Sequence, residues 1–201
     1  MEAKSSSIKK IRKAMEKTLD AKRFEHTLGV AYTAAALAMR YGGDMLKAQT
    51  AGMLHDCAKC MSNEKRLHIC EKHNISVNEI ERRNPFLLHA KVGSYIAMRK
   101  FNIHDSDIIN AILNHTTGRP DMSLLEKIVY IADYIEPGRK QAPNLTQIRR
   151  LAFQDLDEAL FRILKDTLVY LNQVDGDVDP MTQKTYDFYK EYMAERKSSA
   201  I

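Results

Sequence analysis

The stretch Ala51-Gly52-Met53-Leu54-His55-Asp56-Cys57-Ala58-Lys59 places a histidine and an aspartate side by side near the end of an otherwise apolar helical pattern that begins at Met45. Asp44 suits the N-cap, and the periodicity predicts a helix running to about Ala58. Adjacent helical side chains diverge, yet His55 and Asp56 can both reach a metal ion beyond the helix end. A second anomaly lies in Ile128-Val129-Tyr130-Ile131-Ala132-Asp133-Tyr134-Ile135, where Asp133 is the lone charge. A buried carboxylate without partners is strongly unfavourable, so Asp133 needs a cation or several donors. His26 lies on the preceding helix among Phe24, Leu28 and Val30. A single histidine on an apolar face is usually a core residue with satisfied hydrogen bonds, and a His-Asp dipeptide often arises by chance. Four such residues on three buried helices constrain one another, and together they point to a metal held by His26, His55, Asp56 and Asp133.

Working outward, the remaining punctuation is helical. Ile8, Ile11, Met15 and Leu19 repeat at helical spacing behind the caps Ser5 to Ser7, and Phe24, Leu28, Ala31, Ala35 and Ala38 continue the period until Gly42-Gly43 supplies a stop. Ser76 with Glu79 and Ser123 with Glu126 fit the capping box, while Pro85 and Pro180 sit at first helical positions. No period-two alternation bounded by hairpin turns is present, and no repeat of solenoid length. The expectation is an all-α bundle of eight to ten helices around a polar centre, with residues 1–21 a basic amphipathic extension and 22–195 the main domain.

Composition narrows the class. The 201 residues are 44% hydrophobic with only 8 Gly and 5 Pro, which argues against disorder and against a turn-rich β fold. The chain opens without a signal-peptide core and has no run long enough to span a membrane, so a cytoplasmic protein is expected. Cys57, Cys60 and Cys70 are odd in number and form no disulfide pattern, and a lone Cys-x-x-Cys beside the His-Asp pair reads as packing. The net charge of +5 resides in Met1 to Arg23, where eight Lys/Arg face three Asp/Glu. A solvated helix face explains that excess better than nucleic-acid binding does.

The order of a His, a His-Asp pair and a distant Asp resembles the HD superfamily. The segments Arg23-Phe24-Glu25-His26-Thr27-Leu28-Gly29-Val30-Ala31, Ala51 to Lys59, His115-Thr116-Thr117-Gly118 and Ile131-Ala132-Asp133-Tyr134-Ile135-Glu136-Pro137-Gly138-Arg139 resemble the YqeK family of bacterial symmetrical diadenosine tetraphosphate hydrolases. The last string is the most specific, and the resemblance runs from about Lys22 to about Thr182. One departure is visible: Val178-Asp179-Pro180 stands where the family pattern reads His-Pro.

Two imidazoles and two carboxylates suit iron, manganese or zinc, with coordination positions left for water and a phosphate oxygen. Such an ion lowers the pKa of a bound water and polarises the phosphoryl group. The resemblance implies iron, and cleavage of diadenosine tetraphosphate to two ADP by metal-hydroxide attack on an inner phosphorus. It also places His89 and His115 where phosphate contacts, or ligands of a second metal bridged through Asp56, are expected. Lys59 follows the pair by three residues and can neutralise phosphate charge, although an ordinary surface lysine fits as well. Arg139 beside Gly138 can take a phosphate through its two-donor fork, or can simply end a helix. Thr116 and its neighbours offer hydroxyls and amides, and the resemblance implies that the turn Gly176 to Pro180, with Val178, Asp179 and Pro180, closes over the nucleoside together with Thr182. The expected catalytic set is Asp56, Lys59, His89 and His115. Substrate contacts come from Lys59, His89, His115, Thr116, Asp133, Arg139 and the Val178 to Pro180 turn. A homodimer is compatible with this reading. The alternatives are another HD-type nucleotide phosphohydrolase, a cyclic-nucleotide phosphodiesterase, or a nonenzymatic RNA- or protein-binding module.

Overall fold

The structure, a computed structural model, describes residues 7–173 and 178–198. Among them are eleven α-helices and no strand: α1 (Ile8–Thr18), α2 (Ala21–Tyr41), α3 (Met45–Leu54), α4 (Asn63–Lys72), α5 (Glu79–Arg83), α6 (His89–Phe101), α7 (Ser106–Asn114), α8 (Leu124–Ile135), α9 (Leu145–Ala152), α10 (Leu156–Gln173) and α11 (Pro180–Ser198). A 3-10 turn, Pro85–Leu88, leads directly into α6. The helix count exceeds the eight to ten expected because the short α5 and α9 carry too few residues to display a period in the sequence.

Local chemistry accounts for most boundaries. The Asp44 carboxylate accepts from the amides of Leu46 and Lys47, and Ser123 with Glu126 forms the expected capping box. Gly42 ends α2 in the left-handed region at φ 70°. Two boundaries differ from expectation. The second capping box belongs to Asn78 and Glu81 rather than to Ser76 and Glu79, and α3 stops at Leu54 rather than near Ala58. Residues 55–60 form tight turns instead, which carry His55 and Asp56 off the helix. Ser7 holds the N-cap position of α1 without a side-chain bond, and Ser5 and Ser6 lie outside the described residues.

Two large apolar clusters share α8. One joins Val30, Ala34, Leu37, Ile128, Ile131 and Leu160 with Tyr189 of α11. The other joins Ile11, Met15, Met53, Leu54, Phe101 and Ile112 with Val129. Helix α1 therefore contributes to the core: Ile11 and Met15 are at most 1% exposed, which removes most of their apolar surface from water. Close packing of α2 on α3 requires Gly52, where a Cβ would stand 2.9 Å from the Cα of Ala31. That contact brings the end of α3, and with it the His-Asp pair, against His26 on α2.

Candidate metal centre

His55, His89 and His115 hold the same position in three different segments. Each is the C-cap of a helical segment: His55 of α3, His89 of the 3-10 turn and His115 of α7. At such an end the last carbonyls lack helical partners. Each ring turns back onto the carbonyl three residues earlier, with Nδ1 at 2.6 Å from that of Gly52, 2.7 Å from that of Phe86 and 2.7 Å from that of Ile112. A carbonyl only accepts, so Nδ1 carries the proton and each Nε2 presents a lone pair inward. His26 on α2 is held in the same way by the buried Glu136, whose Oε1 lies 3.1 Å from Nδ1.

The four Nε2 atoms surround Asp56. Its Oδ2 lies 3.6 Å from His55 and 4.0 Å from His26, while Oδ1 lies 3.3 Å from His89 and 3.6 Å from His115. Asp133 on α8 closes the first side, with Oδ1 3.1 Å from His26 Nε2. Buried imidazoles facing one another with lone pairs repel, and the Nε2 atoms of His89 and His115 stand only 3.2 Å apart. Three atoms of the cluster, His26 Nε2, His55 Nε2 and Asp56 Oδ1, are buried without any hydrogen-bond partner among the described residues. A cation between them answers each deficit. His26, His55 and Asp56 offer ligand atoms within 4.8 Å of one another, as do His55, His115 and Asp133, and as do Asp56, His89 and His115. The residues fit a divalent transition metal: mixed nitrogen and oxygen donors, no thiolate, and second partners fixing the histidine rings.

The electrostatics agree. Burial drives His55 down to about 4 and His89 well below its ordinary value, keeping both neutral and able to ligate. Burial opposes the charge of Asp56, yet the groups that face it, the Lys59 ammonium among them, hold its carboxyl well below the usual range. Asp133 is likewise lowered against burial, chiefly by His26. Burial also opposes an imidazolium at His26, yet Asp133 and Glu136 raise it above its ordinary value.

Around the cluster stand cationic and hydroxyl groups. Arg23 donates from Nη1 to Asp56 Oδ2 at 2.8 Å, and Lys59 Nζ lies 3.1 Å from His89 Nε2 and 3.8 Å from Asp56 Oδ1. Thr116 Oγ1 is 3.3 Å from both His89 and His115. Arg139 donates to the side chain and the backbone carbonyl of Asp133, each at 2.8 Å. All of His26, His55, Asp56, Lys59, His89, His115, Thr116, Asp133 and Arg139 are thus in one neighbourhood. The turn at Val178 to Pro180 is not joined to it by any bond among the described residues. Asp179 caps α11 through the amide of Met181 and receives a bond from Asn78, while Gly176 lies outside the described residues. Cys57 is buried, with its thiol pushed up to about 12 by that burial, so it is an inert packing residue.

Residues 23–138, more than half of the chain, match the HD domain model. The chain belongs to the HD-domain family. This HD-domain protein is 42% identical over 166 residues to the symmetrical bis(5'-nucleosyl)-tetraphosphatase of Bacillus subtilis, covering 83% of this chain and 88% of that one. It is 36% identical over 192 residues to the protein of the same name in Staphylococcus aureus, covering 94% and 97%. The crystal structure of a predicted HD superfamily hydrolase involved in NAD metabolism, from Clostridium acetobutylicum, superposes with a TM-score of 0.90 at 39% identity, over 94% of this chain and all of that one. Among the described residues of this HD-domain hydrolase, no helix is long and apolar enough to cross a membrane.

Two contributors gave no sign in the sequence strong enough to single them out. Glu136 and Arg23 each lie one helical turn from a recognised ligand, Glu136 after Asp133 and Arg23 before His26. That spacing puts them on the same side of the chain as the ligand, and it was the signal available.

Proposed function

We propose that this protein hydrolyses diadenosine tetraphosphate symmetrically to two ADP, with a divalent metal held by His26, His55, Asp56 and Asp133. The observation that carries the reading is Asp56, a buried carboxylate whose two oxygens face two different pairs of histidines. That geometry suits a second ion on the His89 and His115 side, with Asp56 shared between the two. Bound there, the metal supplies Lewis acidity and a water nucleophilic near neutral pH. Iron follows from the family resemblance, and manganese or zinc suits the same donors.

The chain's own residues do the rest. Lys59 and Arg139 place positive charge beside the cluster, where charge-assisted hydrogen bonds would offset the negative charge of the bridging phosphates. Thr116 offers a hydroxyl beside the His89 and His115 rings. Burial of His55, His89 and His115 keeps bulk water from the inner face of the site. The Arg139 side chain is partly exposed beside Asp133, which leaves part of its guanidinium open to a phosphate oxygen.

Product analysis tests this directly: the iron-loaded protein, incubated anaerobically with diadenosine tetraphosphate, should release ADP alone. ATP with AMP in equal amounts would refute symmetrical cleavage. A second reading, hydrolysis of a different pyrophosphate-bridged nucleotide, draws on the likeness to the Clostridium acetobutylicum hydrolase, which is described as involved in NAD metabolism. Faster turnover of a dinucleotide with one pyrophosphate than of the tetraphosphate would favour that reading.

A further inference from the structure

A cavity of about 260 Å³ opens beside the metal cluster, and the chemistry of its wall changes along its length. His115, Thr116, Asp133 and Arg139 form the side that meets the cluster, and these groups suit phosphate. The remainder is built mainly from Tyr134, Pro143, Ile163, Asp166, Thr167 and Tyr170, a mostly apolar wall carrying one carboxylate. Its size is at or below the small end of ligand pockets, about 300 Å³, which suits one nucleoside rather than a whole dinucleotide. Tyr134 is held in the wall by a bond from its hydroxyl to the carbonyl of Pro143 at 3.1 Å. Tyr170 lines the cavity and is 57% exposed, a large aromatic side chain on which a flat partner can pack.

Asp166 is the carboxylate of that part, which also carries the Thr167 hydroxyl and the Gln141 amide. Asn144 donates to its Oδ2 at 3.0 Å, which fixes the carboxylate, and an ionised carboxylate keeps further acceptor sites and no donor. Such a group distinguishes bases by what they present: it accepts from an amino group and is repelled by a carbonyl oxygen at the same place.

We infer that this cavity receives one nucleoside of the substrate, with its base against Tyr170, and that Asp166 selects an amino-bearing purine such as adenine over its carbonyl-bearing counterpart. The inference rests on the proposed nucleotide chemistry and extends it to base recognition, with Asp166 as the specificity-determining residue. Asparagine at this position keeps the size and can still accept from Asn144, while turning an amide N–H toward the base.

The test compares diadenosine with diinosine tetraphosphate in the metal-loaded parent and in Asp166→Asn, since hypoxanthine replaces the adenine amino group by a carbonyl. Binding of ADP and IDP, measured by equilibrium dialysis, provides the same comparison without turnover. The parent should prefer the adenine ligand roughly tenfold or more, the usual range for a hydrogen bond to a charged group. In Asp166→Asn the preference should collapse to near one or reverse, chiefly through KM, while inhibition by inorganic pyrophosphate stays unchanged. An unaltered adenine-to-hypoxanthine ratio in both kinetics and binding overturns the inference. Failure of the parent to cleave either tetraphosphate overturns the proposed reaction instead, and the ADP and IDP comparison then still decides the role of Asp166.

Discussion

The buried carboxylate of Glu136 lies 3.1 Å from Nδ1 of His26, joining the C-cap of α8 to the second turn of α2 across 110 residues of chain. The same carboxylate accepts from the amide of Gly138. Two glycines make room for it: a Cβ at Gly29 would stand 2.5 Å from Glu136 Oε2, and one at Gly138 would stand 2.9 Å away. This explains why the string Ile-Glu-Pro-Gly-Arg accompanies the metal ligands, since Glu136 sets the orientation of His26 and Gly138 anchors Glu136.

Replacing Glu136 by Gln should lower metal affinity on the order of 10- to 100-fold, the usual effect of removing a ligand's outer partner, while the helical circular dichroism spectrum is unchanged. Competition with a metal-binding dye measures it. Equal affinity in parent and variant would leave Glu136 as a loop-bracing residue only.

Asp56→Ala and Asp133→Ala should lose bound metal and activity, whereas His68→Ala, on the exposed side of α4, should change neither. Metal analysis of the purified variants decides the matter. Full occupancy in both aspartate variants would contradict the proposed ligand set.

How far the sequence could be read depended on whether a residue's partner was local. His55, Asp56 and Asp133 stood out because each interrupts an apolar run, and caps such as Asp44 and Ser123 act on their own first turns. The apolar pattern runs four residues past the end of α3, because Cys57 and Ala58 continue it although they lie in turns. Asp166 and Tyr170 gave no signal at all: each looks like an exposed residue of an amphipathic helix, and only the approach of α10 to the Gln141 to Pro143 segment makes them part of a cavity.

Arg139→Ala should leave metal content intact and cost about 1 to 3 kcal/mol in kcat/KM, the range for a charge-assisted bond whose partner is left unpaired. Arg139 is partly exposed and already tied to Asp133, so the lower half of that range is the firmer expectation. Lysine should restore only part of the loss, lacking the planar fork. Unchanged kinetics at saturating and subsaturating substrate would make Arg139 merely the residue that steadies Asp133.

Ile11→Ala should destabilise the protein by about 2 to 5 kcal/mol, as expected for a fully buried aliphatic side chain that leaves a cavity. The basic helix α1 is thus part of the core, although it supplies none of the cluster's side chains. Denaturant unfolding measures the loss. A midpoint equal to the parent's would mean that α1 undocks without consequence.

Metal occupancy should fall as the solution is acidified, because a proton competes with the ion for His26 Nε2. The His26 pKa lies above its ordinary value of about 6.5, so the loss should begin in the near-neutral range rather than well below it. Occupancy measured from pH 8 down to about pH 5 tests this, and a flat profile would show that the ion excludes the proton from His26 throughout that range.

The rings of His55, His89 and His115 are aimed by carbonyls of their own chain, three residues back, and not by the ion they would surround. The socket is therefore finished when the helices are finished. Little rotational freedom of those rings remains to be lost when an ion arrives, and an ion that departs leaves their Nε2 lone pairs facing one another again. With the ring directions set by the chain, the choice among divalent ions at this socket would fall to their coordination preferences.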